Sequence, residues 1–140
     1  MQKIWEIYVL CKRLYSSVIS PIYKQYSLTR TEFDVLMFLA NNPQFDTASD
    51  IVEIRHISKS HVSISVRSLA GQEYLKAEYR GGDRRTIHLS VTDKAHDIIA
   101  AGRKAQGEFL SILGAGFSDE EKEQISSIIS RITENVKETL

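Results

Sequence analysis

Several features of secreted, membrane and metal-binding proteins are missing from this chain of 140 residues. It has one cysteine, Cys11, which excludes an internal disulfide, and no Cys/His spacing matches a structural zinc site. No apolar run approaches the ~20 residues that span a membrane. The N-terminal segment carries charges every few residues, unlike the apolar centre of a signal peptide. We therefore expect a cytoplasmic protein with no membrane partner.

Sequence patterns for catalysis are also missing. There is no phosphate-binding glycine loop, no nucleophile elbow and no HExxH motif. No two of the four histidines are four residues apart, the spacing that brings two imidazoles together on a helix. The acidic cluster 119–123 lies where a helix is predicted to begin, and the helix dipole favours acids there. We predict a protein that is not an enzyme and uses neither a metal nor another cofactor.

The overall charge balance conceals a local excess of positive charge. The chain has 18 basic and 18 acidic residues, so its net charge is zero. From Arg55 to Thr92, however, seven Lys and Arg residues stand against three acids, a net charge of +4, and three of the four histidines lie there too. A positive field confined to one segment is typical of a nucleic-acid-binding surface.

Hydrophobic periodicity predicts a mainly α-helical chain with one small β-hairpin. Apolar residues from Ile4 to Ile22 repeat at helical spacing, and Pro21 with the turn near Ser27 is expected to end this first helix. Hydroxyl residues that can begin a helix precede the five later ones: Thr29, Thr47, Ser58, Thr92 and Ser118. Glu32 and Glu121 would complete capping boxes in two of them.

The hairpin is predicted between the fourth and fifth helices. Residues 75–80 and 86–91 alternate in the manner of strands, and the turn formers Gly81, Gly82 and Asp83 lie between them. The third helix is expected to run from Thr47 through Glu53. Two helices joined by a short turn and followed by a two-stranded hairpin form the winged variant of the helix-turn-helix.

Three segments carry a resemblance to a known family: LTRTEFDVLMFLA, ISKSHVSISVRSL and GGDRRTIHLSVTDKA. In order and spacing the chain resembles the MarR family of bacterial transcription regulators over nearly its whole length. The most specific part is the wing, where Asp83 and Arg85 are followed by an apolar alternation and Thr92.

The resemblance implies both architecture and partners. It implies a single domain in which residues 28–100 form a DNA-binding lobe and residues 1–26 and 105–140 form a homodimer. The helix Ser58–Gln72 would read the major groove of a palindromic operator in double-stranded DNA, and Arg85 would enter the minor groove. Asp83 is expected to orient Arg85 through an ion pair or to bond the turn backbone.

The candidate DNA-binding residues share an outward position on the predicted reading helix or the hairpin tip. They are Lys59, Ser60, His61, Ser63, Ile64, Arg67, Ser68, Arg84 and Arg85. Hydroxyls suit phosphates or base edges, and Arg67 suits a guanine. Ile64 departs from the polar or basic residue common in the family and would suit a thymine methyl. The alternative is a solvated polar face without DNA.

Aromatic residues and a cysteine near the N-terminus are the candidates for sensing the signal that the regulator answers. We expect a repressor released by a small, aromatic ligand in a pocket that includes Trp5, Tyr8, Tyr15, Tyr23 and Tyr26, although these side chains suit dimer packing equally well. Some family members sense peroxides through a cysteine on the first helix, so a redox role for Cys11 is an alternative to a simple core position. A winged helix that binds only protein is the alternative from another class.

Overall fold

The computed structural model describes residues 1–140, which form six α-helices and one antiparallel hairpin, in the predicted order. The helices are α1 (Gln2–Gln25), α2 (Arg30–Asn41), α3 (Ala48–Arg55), α4 (Lys59–Gly71), α5 (His96–Leu113) and α6 (Asp119–Lys137). The strands β1 (Leu75–Arg80) and β2 (Asp83–Val91) precede a 3-10 turn, Asp93–Ala95, that leads into α5. The predicted winged helix-turn-helix fold is confirmed.

The beginnings of α2 and α6 follow from local sequence. Thr29 Oγ1 accepts a hydrogen bond from the Glu32 N–H at 3.1 Å, and the Glu32 carboxylate accepts one from the Thr29 N–H at 2.8 Å. Ser118 and Glu121 form the same reciprocal pair at the start of α6. These bonds satisfy N–H groups that the first helical turn leaves without partners. Both predicted capping boxes are therefore present.

The first helix does not end at its proline. Pro21 lies inside α1, which continues to Gln25, so the expectation that Pro21 helps to end this helix was wrong. A proline removes the hydrogen bond to the carbonyl four residues earlier, here that of Ser17. Ser17 is exposed, so water can satisfy that carbonyl. The third helix also runs to Arg55, two residues beyond the predicted Glu53.

The hydrophobic core lies inside the lobe formed by the C-terminal half of α1, by α2 to α5 and by the base of the hairpin. Its largest fully buried side chains come from α1 through α5: Ile19, Phe33, Val35, Leu36, Ile51, Val62, Leu69 and Ile98. α1 packs against α5, and α4 packs against both α2 and α3. Because α4 buries only one side in this lobe, its other side is left in solvent.

The hairpin projects from the lobe. Leu75 pairs with Val91 and Ala77 with Leu89, and the side chains of Leu75 and Leu89 are buried at the base. Gly81 and Gly82 both have positive φ angles, of 59° and 77°, which glycine adopts without steric cost. Residues 79–85 are all exposed, so the distal half of the hairpin stands clear of the core.

The two ends of the chain remain outside this core. No residue of α6 is buried, and the first ten residues of the chain are all exposed. None of the helices is both long enough and apolar enough to cross a membrane.

Candidate nucleic-acid interface

The exposed face of α4 is set by its cap and its apolar stripe. Ser58 Oγ accepts a hydrogen bond from the His61 N–H at 3.3 Å, which fixes the first turn. Val62 and Leu69 are buried on the inner side. Six of the seven predicted contact residues of this helix are exposed: Lys59, Ser60, His61, Ser63, Ile64 and Arg67.

Ser68 differs from the other residues predicted on α4. It is half-buried, and its Oγ accepts a hydrogen bond from Gln72 Nε2 at 3.1 Å. Ile64, by contrast, is 63% exposed at the centre of the outward face, where an isoleucine has no partner within the chain. The outward face thus combines hydroxyl and cationic groups with one apolar side chain.

The tip of the hairpin carries the remaining predicted cations. Arg84 and Arg85 are exposed at the start of β2. Asp83 Oδ1 accepts a hydrogen bond from the Arg85 backbone N–H at 2.9 Å. Of the two roles expected for Asp83, the structure has the bond to the turn backbone and not the ion pair with Arg85. The Arg85 guanidinium is left unpaired.

The predicted DNA-binding Lys and Arg residues of α4 and the hairpin tip have no carboxylate partners in the chain. Lys59, Arg67, Arg84 and Arg85 take part in none of its ion pairs. Some cations elsewhere in the chain are paired: Arg30 with Asp34 at 3.0 Å, for example. Unpaired cations on adjacent elements can neutralise the phosphates of a nucleic acid without first breaking an internal contact.

Asp46, in the loop between α2 and α3, holds both strands of the hairpin and was not predicted from the sequence. Its carboxylate accepts a hydrogen bond from Arg80 Nη1 at 2.7 Å and lies 2.8 Å from His88 Nδ1. Burial alone would raise the pKa of Asp46. The hydrogen bond and charge of His88, followed by those of Arg80, outweigh burial and hold that pKa below its usual value.

The predicted aromatic pocket residues do not gather at one place in the chain. Tyr15 lines a cleft of about 100 Å³ with Asp34, Phe38 and Gln106, and Gln106 Nε2 donates to its hydroxyl at 3.2 Å. The other four aromatic side chains lie elsewhere on α1 and the turn that follows it. Trp5 and Tyr8 are exposed, whereas Tyr23 and Tyr26 pack against the core.

Cys11 is partly exposed on α1, one helical turn from Tyr8 and from Tyr15. No group of three or more His, Cys, Asp or Glu residues is close enough together to hold a metal ion.

Comparison with known proteins identifies the family to which this chain belongs. The sequence model of the MarR family matches residues 26–86, which contain α2 to α4 and most of the hairpin. The transcriptional regulator ZitR of Lactococcus lactis subsp. cremoris is 32% identical over 113 residues, covering 79% of this chain and 77% of ZitR.

Two solved structures have the same fold. One, from Listeria monocytogenes and assigned to the MarR family, is in complex with a 26mer DNA; it has a TM-score of 0.82 and 17% identity, covering 95% of this chain and 87% of its own. The other is Staphylococcus aureus MarR in complex with salicylate and kanamycin, with a TM-score of 0.79 and 17% identity, covering 99% and 93%. The match of the family model and the similarity to ZitR show that the chain belongs to the MarR family of transcriptional regulators.

Proposed function

We propose that this regulator binds a palindromic operator in double-stranded DNA as a homodimer. The observation that carries the proposal is the set of unpaired cations on α4 and the hairpin tip: Lys59, Arg67, Arg84 and Arg85. The similar fold from L. monocytogenes, in complex with a 26mer DNA, supports the same partner. A charged polymer satisfies these groups better than any small substrate would.

The dimensions of α4 suit the major groove of DNA. Its 13 residues make a rod about 20 Å long, and that groove admits an α-helix. Ser60 and Ser63 would bond phosphates or base edges, Arg67 would take a guanine, and Ile64 would contact a thymine methyl. Arg85 on the hairpin would enter the adjacent minor groove, where negative potential attracts arginine.

A second copy of the chain would cover the apolar surface at both termini. One face of α6 carries isoleucines and a valine that are 38–56% exposed: Ile125, Ile128, Ile129, Ile132 and Val136. A helix with such a face is stable when the face is buried. Pairing of α1, α5 and α6 with their symmetry mates would bury it and would place two α4 helices on one side of the dimer, which suits a palindrome.

The regulator would act as a repressor released by a small ligand. The S. aureus relative in complex with salicylate supports a flat, acidic molecule. The cleft beside Tyr15, between α1, α2 and α5, has about 100 Å³, less than the roughly 300 Å³ of a usual ligand pocket. Binding there would have to widen the cleft and so favour a different spacing of the two α4 helices.

Sequencing the fragments of the source genome that the purified protein retains would test the DNA-binding proposal. We expect a small set of fragments that share an inverted repeat with half-sites about one helical turn apart. Retention of fragments with no common sequence would contradict sequence-specific reading.

The effector needs a separate experiment. Wild type and Cys11→Ser are bound to operator DNA and titrated with aromatic acids and with an organic hydroperoxide. We expect aromatic acids to release both proteins alike. Release of wild type alone, by the hydroperoxide alone, would favour the Cys11 redox regulator instead.

A further inference from the structure

We propose that Asp46 is a positioning residue that sets the orientation of the hairpin wing, and through it the reach of Arg84 and Arg85 into DNA. The inference rests on the DNA binding proposed above. Asp46 itself lies in the lobe, outside the predicted contact surface.

One residue of the lobe bonds both strands of the wing. Asp46 Oδ2 accepts a hydrogen bond from Arg80 Nη1 at 2.7 Å, and Arg80 is the last residue of β1. Asp46 Oδ1 lies 2.8 Å from His88 Nδ1 on β2, where a protonated Nδ1 donates. The backbone carbonyl of Asp46 accepts a third bond, from the Leu89 N–H at 2.7 Å. The three bonds attach both strands of the wing to a single residue of the lobe.

Little else holds the outer part of the wing. Within residues 76–88, the side-chain hydrogen bonds that reach beyond the hairpin all end on Asp46. Tyr79 and Ile87, further out than the buried Leu89, are 53% and 47% exposed and contribute little packing. Without the carboxylate, the outer hairpin would keep only its attachment at the base.

The position of Asp46 in the chain links the wing to the reading helix. The next residue, Thr47, caps α3, where its Oγ1 accepts a hydrogen bond from the Asp50 N–H at 3.1 Å. α3 packs against α4. Asp46 therefore fixes the wing relative to α4, and a DNA ligand that must meet both elements at once gains from this preorganisation.

Asp46→Asn and Glu78→Gln form a matched pair for the test. Glu78 lies on the wing and contacts Lys76 and Arg80 at 3.3 Å and 3.7 Å. Each substitution removes one negative charge and keeps the side-chain shape, so electrostatics alone would tighten DNA binding in both. We expect Asp46→Asn to bind operator about fivefold more weakly, since it loses charge-assisted bonds, and Glu78→Gln to bind as well as wild type or better. Binding by Asp46→Asn at or above wild-type affinity would overturn the inference.

A double substitution separates positioning from general damage. In the background of Arg84→Ala with Arg85→Ala, Asp46→Asn should not weaken binding further, because the side chains through which it acts are gone. The same fivefold loss in both backgrounds would overturn the inference.

Hydrogen exchange of the free protein gives a second measurement: amides of residues 80–88 should exchange faster in Asp46→Asn while those of α4 stay unchanged. Unchanged exchange at residues 80–88 would also contradict the inference.

Failure of the inference can be told apart from failure of the proposed function. If wild type itself binds no DNA, DNA binding is wrong and Asp46 has nothing to position. If wild type binds, and Arg85→Ala binds more weakly while Asp46→Asn does not, only the role of Asp46 is wrong.

Discussion

At the scale of single residues, Asp46 ties stability to pH. Its pKa is held below the usual value in the folded chain, chiefly because His88 and Arg80 outweigh the effect of burial. A carboxyl whose folded pKa is depressed stabilises the fold above its unfolded pKa, which is about 4. That contribution is lost as the pH falls through the lower, folded pKa.

Asp46→Asn should therefore destabilise the protein in a pH-dependent way. At pH 7 we expect the free energy of unfolding to fall by about 1 kcal/mol, the usual worth of such a hydrogen-bonded group. The difference from wild type should shrink as the pH is lowered below about 4. Urea unfolding followed by circular dichroism at several pH values measures it. A loss that is the same at every pH would mean that the charge of Asp46 contributes nothing.

Substitution of two arginines of the candidate interface should affect DNA binding in different ways. Arg85→Ala should weaken operator binding by about 1–3 kcal/mol and leave the fold intact, since the exposed guanidinium has no partner in the chain. Arg67→Ala should instead relax the preference for one base in each half-site. Titration against the operator and its single-base variants distinguishes them. Wild-type affinity of Arg85→Ala would show that the wing does not contact DNA.

At the scale of elements, the crossing of α5 over α2 depends on Gly102. A Cβ added at Gly102 would lie 2.9 Å from Met37 Cε and 3.2 Å from Phe33 Cζ, and it would also meet Met37 Sδ. Met37 and Phe33 are buried, so the end of the Met37 side chain and the Phe33 ring would have to shift within the packed core. The close approach of the two helices is possible because this position has no side chain.

Gly102→Ala should destabilise the protein by about 1–3 kcal/mol through overpacking. Gly107→Ala on the same helix is the control, because nothing lies within 4 Å of a Cβ there. Alanine is the better helix former by up to about 1 kcal/mol, so Gly107→Ala should be neutral or stabilising. Thermal unfolding compares the two. Equal effects from both substitutions would contradict the tight packing at Gly102.

The elements that local sequence defines are those the sequence predicted well. The caps at Thr29 and Ser118 depend on a partner three residues away, and both were found. Asp46 was missed because its partners, Arg80 and His88, are 34 and 42 residues away along the chain. Pro21 was misjudged because its tolerance depends on the exposure of Ser17, which packing decides.

At the scale of the whole molecule, the exposed apolar face of α6 supports the proposed homodimer. The mass of wild type measured by light scattering at micromolar concentration should be twice the chain mass of 15.9 kDa. Ile129→Glu, at a position 56% exposed on that face, should shift the protein toward monomer because it would bury an unpaired charge in the interface. A folded monomer of wild type would contradict the dimer.

Ile54→Glu provides the matched control for the dimer. Ile54 is 44% exposed on α3, outside the terminal helices, and its substitution makes the same change of an exposed isoleucine to an acid. It should leave the mass at the wild-type value. Dissociation by both substitutions would point to charge repulsion and not to the loss of a specific interface.

The central claim is that α4 and the wing bind DNA, and the salt dependence of operator binding tests it most directly. Phosphate contacts release counterions, so log K should fall linearly with log salt concentration, and Arg85→Ala should reduce the steepness by about 1 for each wing. Fluorescence anisotropy between about 50 and 200 mM salt measures both slopes. Binding that depends on several phosphate contacts weakens about a thousandfold or more across that range. Affinity that does not change with salt, or no binding at all, would contradict the account.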